Sequence, residues 1–263
     1  MGTRDTIVIG ASAGGVQALT KLVSELPANL PAAVLIVLHV PSNAPSLLPE
    51  ILARGAKIPV AHATDHELIR HGKVYVAPPD HHLIIEKGRT RLVHGPRENL
   101  HRPSIDTLFR SAARWAGPRV IGVVLTGARD DGKLGMRAVK QRGGITIVQD
   151  PREALFPSMP MSVMQEIRVD YSLSLVEIAP LLSELSRETV EEEEDIPCRT
   201  RSKLSRESRS RIWKPRNLSP ALKGSARCHG LPALIVMVRF GKYKTIICCA
   251  IVVTSDTRFQ PKL

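Results

Sequence analysis

The sequence predicts an α/β fold: an open, doubly wound, mostly parallel sheet with helices on both faces and a small antiparallel excursion. Three observations carry this. Short apolar runs, clearest at Ala33–Leu38, lack alternation and so suit strands covered on both faces. Amphipathic stretches follow these runs in a regular strand-helix rhythm. Finally, the first run, Thr6-Ile7-Val8-Ile9, breaks into Gly10-Ala11-Ser12-Ala13-Gly14-Gly15 before an amphipathic stretch at 16–26, which reads as strand, tight turn and helix.

After this first unit and the strand Ala33–Leu38, a helix is expected over 42–54, with Asn43 or Ser46 as cap and Leu47, Leu48, Ile51 and Leu52 on its buried side. Shorter strand-like pieces follow at 59–61, 74–77, 82–86 and 90–93, separated by Pro, Gly and Asp turns. Their close spacing predicts the antiparallel excursion. Alternation then resumes with a helix over 104–116, a strand over 120–125, a helix over 132–142 and a strand over 145–148. A helix over 157–167, a short edge strand over 169–171 and a closing helix over 175–187 complete the unit. The domain is therefore drawn as residues 1–190, with residues 191–263 forming an acidic linker and a basic, disordered or poorly defined tail.

The net charge of +12 belongs to that tail. From Cys198 onward lie 15 of the 37 Lys and Arg but only 2 of the 25 Asp and Glu, leaving 22 basic and 23 acidic side chains before it. A nucleic-acid signature for the whole protein is thereby excluded. The Arg- and Ser-rich stretch 199–216 lacks the apolar residues needed to offset the entropy of ordering. Beyond it, 234–238 and 246–253 read as strand-like runs without an assignable fold. The tail's charge would suit acidic receptor surface, lipid or RNA alike, and no such contact is assigned. All four cysteines also lie there, with no C-x-x-C pair, so Cys198, Cys228, His229, Cys248 and Cys249 are not read as a metal site. A cysteine-free globular part, no secretory leader pattern and no apolar run of about 18 residues point to a cytoplasmic protein.

In such a sheet ligands sit outside the carboxyl ends of the strands, so the residues ending each apolar run are the ones to weigh. Ser12 follows the first strand at the centre of a G-x-S-x-G, where small neighbours allow a sharp turn and expose the hydroxyl. His39 ends the second. Thr126-Gly127-Ala128-Arg129-Asp130-Asp131-Gly132 follows the strand at 120–125. Serine, histidine and aspartate are the parts of a hydrolytic triad, in which an imidazole takes the hydroxyl proton and a carboxylate fixes its tautomer. Asp130 and Asp131 equally suit a helix cap, and Asp150, after the next strand, is a third candidate. A glycine-rich turn also holds phosphates. However, a dinucleotide site wants an acidic residue where His39 stands, and no Lys follows the glycines as in a P-loop, so no nucleotide cofactor is expected.

Several separated motifs, in order, carry a resemblance: Ile9 through Gly15, Leu38-His39-Val40-Pro41, Val76-Ala77-Pro78-Pro79-Asp80-His81-His82-Leu83, Arg102-Pro103-Ser104-Ile105-Asp106, and Leu125-Thr126-Gly127 through Asp131-Gly132. Together they resemble the catalytic domain of the CheB-type chemotaxis methylesterases over roughly residues 5–190. The resemblance implies hydrolysis of γ-glutamyl methyl esters on methylated chemoreceptors or another methylated protein, releasing methanol, and in some members deamidation of receptor glutamines. No cofactor is implied. By position, Ser12 matches the nucleophile, His39 the general base and Asp131 the orienting carboxylate. Backbone N–H groups near Ala13 and Ala128 match the oxyanion donors, and Pro157-Ser158-Met159-Pro160 matches a Gly-Met-Pro loop beside the site.

The chain departs from the family pattern in three places. The usual Thr-Gly-Met-Gly is Thr-Gly-Ala-Arg here, bringing Arg129 to the site loop, and the neighbouring loop carries Ser158 in place of glycine. Family members commonly begin with a phosphorylatable receiver domain, whereas the first strand here opens at Thr6, so control is expected from elsewhere. The tail matches nothing in the family. These departures also admit a domain that binds a receptor or signalling partner with little turnover.

Overall fold

The computed structural model describes residues 2–40, 45–190, 236–240 and 243–247. The chain divides into two compact units, Met1–Arg199 and Thr200–Leu263. In the first unit the elements run β1 (Gly2–Thr3), β2 (Thr6–Ala11), α1 (Gly15–Glu25), β3 (Ala33–Leu38), α2 (Leu48–Ala53), β4 (Val60–His62), β5 (Val74–Val76), β6 (His82–Glu86) and β7 (Arg89–Val93). They continue through α3 (Ile105–Ala116), β8 (Val120–Val124), α4 (Lys133–Gln141), β9 (Ile145–Gln149), α5 (Ser158–Glu166), β10 (Tyr171–Leu173), α6 (Leu175–Leu185) and β11 (Thr189–Val190).

Seven strands form one sheet in the order β10-β9-β8-β2-β3-β5-β4, and every neighbouring pair is parallel. Alternation along each strand splits the core. Ile7, Ile9, Val34 and Ile36 face α1, α2 and α6, whereas Val8, Leu35 and Val37 face α3, α4 and α5. Each face buries its own cluster, which is why β2 and β3 are apolar at every position and read as unbroken runs.

The pairing puts the functional end of the sheet in one place. β3 lies on one side of β2 and β8 on the other, so the strand order reverses at β2 and opens a crevice beyond its carboxyl end. Ser12 follows β2 directly. His39 follows β3 on the face shared by Leu35 and Val37, which is the face covered by α3.

Four sequence expectations are corrected here. The pieces at 59–61 and 74–77 are not part of the antiparallel excursion: β4 and β5 join the parallel sheet, and the hairpin β6–β7 alone is antiparallel beside it. Of the expected helix over 42–54, the described residues form a helix from Leu48 to Ala53, with Pro49 in the first turn, where proline is tolerated, and 42–44 lie outside the described residues. Ser46 does accept the Leu48 N–H at 3.3 Å, while Asn43 lies outside the described residues. The edge strand is shifted to Tyr171–Leu173, because the Asp170 carboxylate instead accepts the Thr146 N–H and hydroxyl (2.9 and 2.8 Å) and anchors the turn into the strand. A pairing absent from the sequence reading, β1 with β11, ties Gly2 to Val190 and Thr3 to Thr189.

In the second unit, β12 (Val236–Phe240) and β13 (Tyr243–Ile247) form an antiparallel pair in register from Phe240 with Tyr243 to Val236 with Ile247. The second strand-like run, 246–253, therefore begins its strand three residues earlier than expected, and 248–253 lie outside the described residues. So do the expected disordered stretch 199–216 and Cys198, Cys228, His229, Cys248 and Cys249.

Candidate active site

The turn after β2 is held from both sides. Ser12 donates its N–H to the Thr126 carbonyl (3.1 Å), and its own carbonyl accepts the Gly15 N–H (2.8 Å). Gly14 has φ +74°, the left-handed region glycine occupies without cost. Gly15 starts α1 against the sheet; a Cβ there would stand 2.6 Å from Leu38 Cδ1 and 2.8 Å from Ala11 Cβ. The small residues therefore have identifiable jobs, and no bound phosphate is needed to explain them.

His39 is the hinge of the site. Its N–H donates to the Ala11 carbonyl (3.2 Å), continuing the β2–β3 ladder one residue past the strand. Its Nδ1 lies 3.1 Å from Ser12 Oγ and its Nε2 lies 2.8 Å from Asp131 Oδ2. An ionised carboxylate only accepts, so the ring proton belongs on Nε2 and the Nδ1 lone pair faces the serine hydroxyl. The side chains of His39 and Asp131 are 4% and 1% exposed.

Asp131 is saturated with donors. Oδ2 accepts the Ile105 N–H (2.8 Å) besides His39. Oδ1 accepts the Ser104 hydroxyl (3.0 Å), the Asp106 N–H (3.1 Å), the Asn99 amide (2.8 Å) and the Gly132 N–H (3.0 Å). Burial pushes its pKa up, but the hydrogen bonds and charge of His39, with the Ile105 N–H and Asn99, outweigh that and hold it at about 2. Because Ile105 opens α3, the carboxylate also sits at that helix's positive end. The cap reading of Asp131 thus holds in an altered form: it serves α3, whereas α4 is capped by Gly132 without a side-chain bond. Asp130 is exposed and pairs with Lys133 (3.0 Å), and Asp150 is bound by Arg152. Neither contacts His39.

The loop after β8 closes the third side. Thr126 Oγ1 donates to the Ala13 carbonyl (3.1 Å) and accepts the Phe156 N–H (2.8 Å), while its N–H is held by Gln149 Oε1 (2.9 Å). Gly127 is bonded to the α5 approach three times: its N–H donates to the Phe156 carbonyl (2.9 Å), and its carbonyl accepts the Met159 N–H and the Ser158 hydroxyl, both at 3.1 Å. Met159 is fully buried. Among the described residues, the N–H groups of Ala13 and Ala128 have no protein acceptor. Arg129 is exposed and has φ +71°.

Two further residues were not singled out from the sequence. Asn99 bridges Asp131 and Asp106 with one amide nitrogen (2.8 and 2.9 Å). The His101 ring stacks on His39 with centroids 3.6 Å apart and planes 5° apart. Both belong to a connecting segment without hydrophobic period, and the neighbouring Arg102-Pro103-Ser104 motif was their only sequence pointer. An apolar cleft of about 200 Å³, lined by residues including Val16, Leu38, Val40 and Leu47, has none of Ser12, His39 or Asp131 in its lining. Among the described residues no group of His, Cys, Asp and Glu has the arrangement of a metal site.

A serine, histidine and aspartate linked by hydrogen bonds beyond a parallel sheet have the arrangement that serine hydrolases use. The comparisons with known proteins narrow this. The CheB methylesterase family pattern matches residues 7–182, and the chain belongs to that family. A relative from Leptospira interrogans is 40% identical over 189 residues, covering 72% of this chain and 98% of the relative. The Methanosarcina mazei protein-glutamate methylesterase/protein-glutamine glutaminase 2 is 37% identical over 192 residues, and the match spans 70% of this chain and 52% of that protein. The crystal structure of the Thermotoga maritima CheB methylesterase catalytic domain superposes with a TM-score of 0.66 at 34% identity, covering 70% of this chain and 99% of the other.

Proposed function

We propose that the chain hydrolyses protein glutamate γ-methyl esters to glutamate and methanol, with methylated chemoreceptor or another methylated protein as substrate. The observation that carries this reading is the hydrogen-bonded series from Ser12 Oγ through His39 to Asp131 at the sheet's switch point. Ser12 Oγ attacks the ester carbonyl carbon while His39 Nδ1 accepts its proton. The tetrahedral oxyanion takes hydrogen bonds from the unengaged N–H groups of Ala13 and Ala128. Collapse breaks the bond to the methoxy oxygen, which leaves as methanol with the proton from Nδ1. Water, deprotonated by the same nitrogen, then attacks the glutamyl-serine ester, and Ser12 regains its proton as the carboxylate product departs. Asp131 stays ionised throughout and holds the imidazolium. A glutamine amide would follow the same path with ammonia leaving, the second activity in the name of the Methanosarcina relative.

The reaction needs no cofactor from this site, and the cysteine-free stretch before Cys198 fits a cytoplasmic setting. No helix among the described residues is long and apolar enough to cross a membrane. One observation favours a second reading. Arg129, with φ +71°, sits in the loop that supplies one oxyanion donor, and a distorted loop there would leave a receptor-binding domain of low turnover. A fluorophosphonate probe separates the two. The esterase reading expects stoichiometric labelling of Ser12 that disappears in His39→Ala; an unlabelled Ser12 together with measurable receptor binding would support the second reading.

A further inference from the structure

We propose that His101 is a positioning residue for the esterase, its stacked ring locking the catalytic imidazole in the one orientation that reaches both Ser12 and Asp131. The inference rests on the proposed roles of Ser12 and His39. The two imidazoles stack with nearly parallel planes, 3.6 Å between centroids. Rotation of a histidine ring about its last side-chain torsion meets only a broad, shallow barrier. For His39 such a turn would carry Nδ1 away from Ser12 and Nε2 away from Asp131 together. A ring pressed flat against it at van der Waals distance blocks the motion.

The backbone that delivers His101 is built for this placement. Glu98 and His101 exchange both backbone hydrogen bonds, His101 N–H to the Glu98 carbonyl at 2.8 Å and the reverse at 3.1 Å. Between them Asn99 and Leu100 have φ +50° and +71°, the two left-handed residues of a tight primed turn. Leu100 is unsuited to that conformation, and its side chain is 67% exposed, so no core contact compensates it. Strain of this kind is held where surrounding contacts fix it. Here both ends of the turn touch the same pair, Asn99 through its amide to Asp131 and His101 through its ring to His39.

The stack also serves the charge that forms. When His39 becomes an imidazolium, a neutral π face beside it is favourable, whereas a second cation there would oppose it. Burial first, then the neighbouring His39, lowers the His101 pKa, in the direction that favours the uncharged ring. Arg129 and Arg97 act in the same direction and Asp131 in the opposite one.

The test compares His101→Ala and His101→Phe in the full chain at pH 8, by steady-state methanol release and by long-range 1H–15N spectra of the histidine rings. Loss of the stack is expected to lower kcat by about 10-fold or more with KM changed less than about 2-fold, the scale of small misplacements of a catalytic group. His39 should turn from a single Nε2–H tautomer into a mixture. The planar, untitratable Phe should restore both the single tautomer and most of kcat. Should His101→Ala fail to fold, His101→Gln replaces it. An unchanged kcat with one tautomer in the Ala variant, a change in KM alone, or a Phe variant as impaired as Ala would each overturn the proposal. If wild type releases no methanol while the tautomer populations shift as expected, the esterase reading fails and the positioning role stands.

Discussion

The Asp131 carboxylate accepts the N–H of Ile105, the first residue of α3, at 2.8 Å, so the group that orients His39 also anchors a helix. Stability and catalysis are therefore expected to respond together when it changes. The folded pKa, about 2, lies below the ordinary carboxylate value, so the stabilisation is complete above that ordinary value and is lost as pH falls through the folded one. Its size is roughly 2 kcal/mol on the usual conversion of pKa shift to free energy. Asp106 works against it: burial and the charge of Asp131 raise its pKa, so its penalty eases as pH falls. Urea unfolding from pH 7 down to pH 2.5 should show the greater loss below pH 4. In Asp131→Asn that acid step should shrink, and kcat should fall by about 10³ to 10⁴, the scale seen when an orienting aspartate is neutralised.

Gly127 allows no side chain. A Cβ there would lie 2.5 Å from Met159 Sδ and 2.9 Å from Ser12 Cβ. The thioether can bend away, but the serine stands on a turn fixed by Thr126 and Gly15. Gly127→Ala should thus cost about 1–3 kcal/mol of stability as an overpacked site. Displacement of Ser12 should reduce kcat by about 10²-fold. Denaturant midpoints and methanol release measure the two effects separately.

Arg129 occupies a backbone conformation that favours glycine. Arg129→Gly should raise stability by about 0.5–1 kcal/mol, the strain released less the extra freedom gained by the unfolded chain. If Arg129 only perturbs the loop, methanol release will be equal to or faster than wild type. A loss of release with KM raised would instead give the guanidinium a contact with substrate.

Much of this arrangement was legible in the sequence because it rests on patterns local to the chain. Ala33–Leu38 is apolar at every position, and the residue ending it had to emerge beside the residue ending Thr6–Ala11 once those strands paired. Asp131 was harder. Asp130, Asp131 and Asp150 were alike by spacing, and the choice among them came from the family motif, not from chain physics. The directions of β4 and β5 differ from the sequence expectation because three-residue strands carry no mark of parallel pairing, which is decided by contact with β3. Asn99 and His101 carry no such signal, because their contacts depend on a tight turn that reaches 32 residues along the chain to Asp131 and more than 60 back to His39, which no periodicity encodes.

Ser12 Oγ, 3.1 Å from His39 Nδ1, is the nucleophile that the proposed methylesterase reaction requires. Methanol release from chemoreceptor carrying labelled glutamyl methyl esters, measured with the full chain and with Ser12→Ala at matched thermal stability, tests it most directly. Labelled methanol is expected from the wild type and a rate lower by about 10⁴-fold or more in Ser12→Ala, as for other triads stripped of the nucleophile. Equal rates for the two proteins, or no methanol from either, would contradict it.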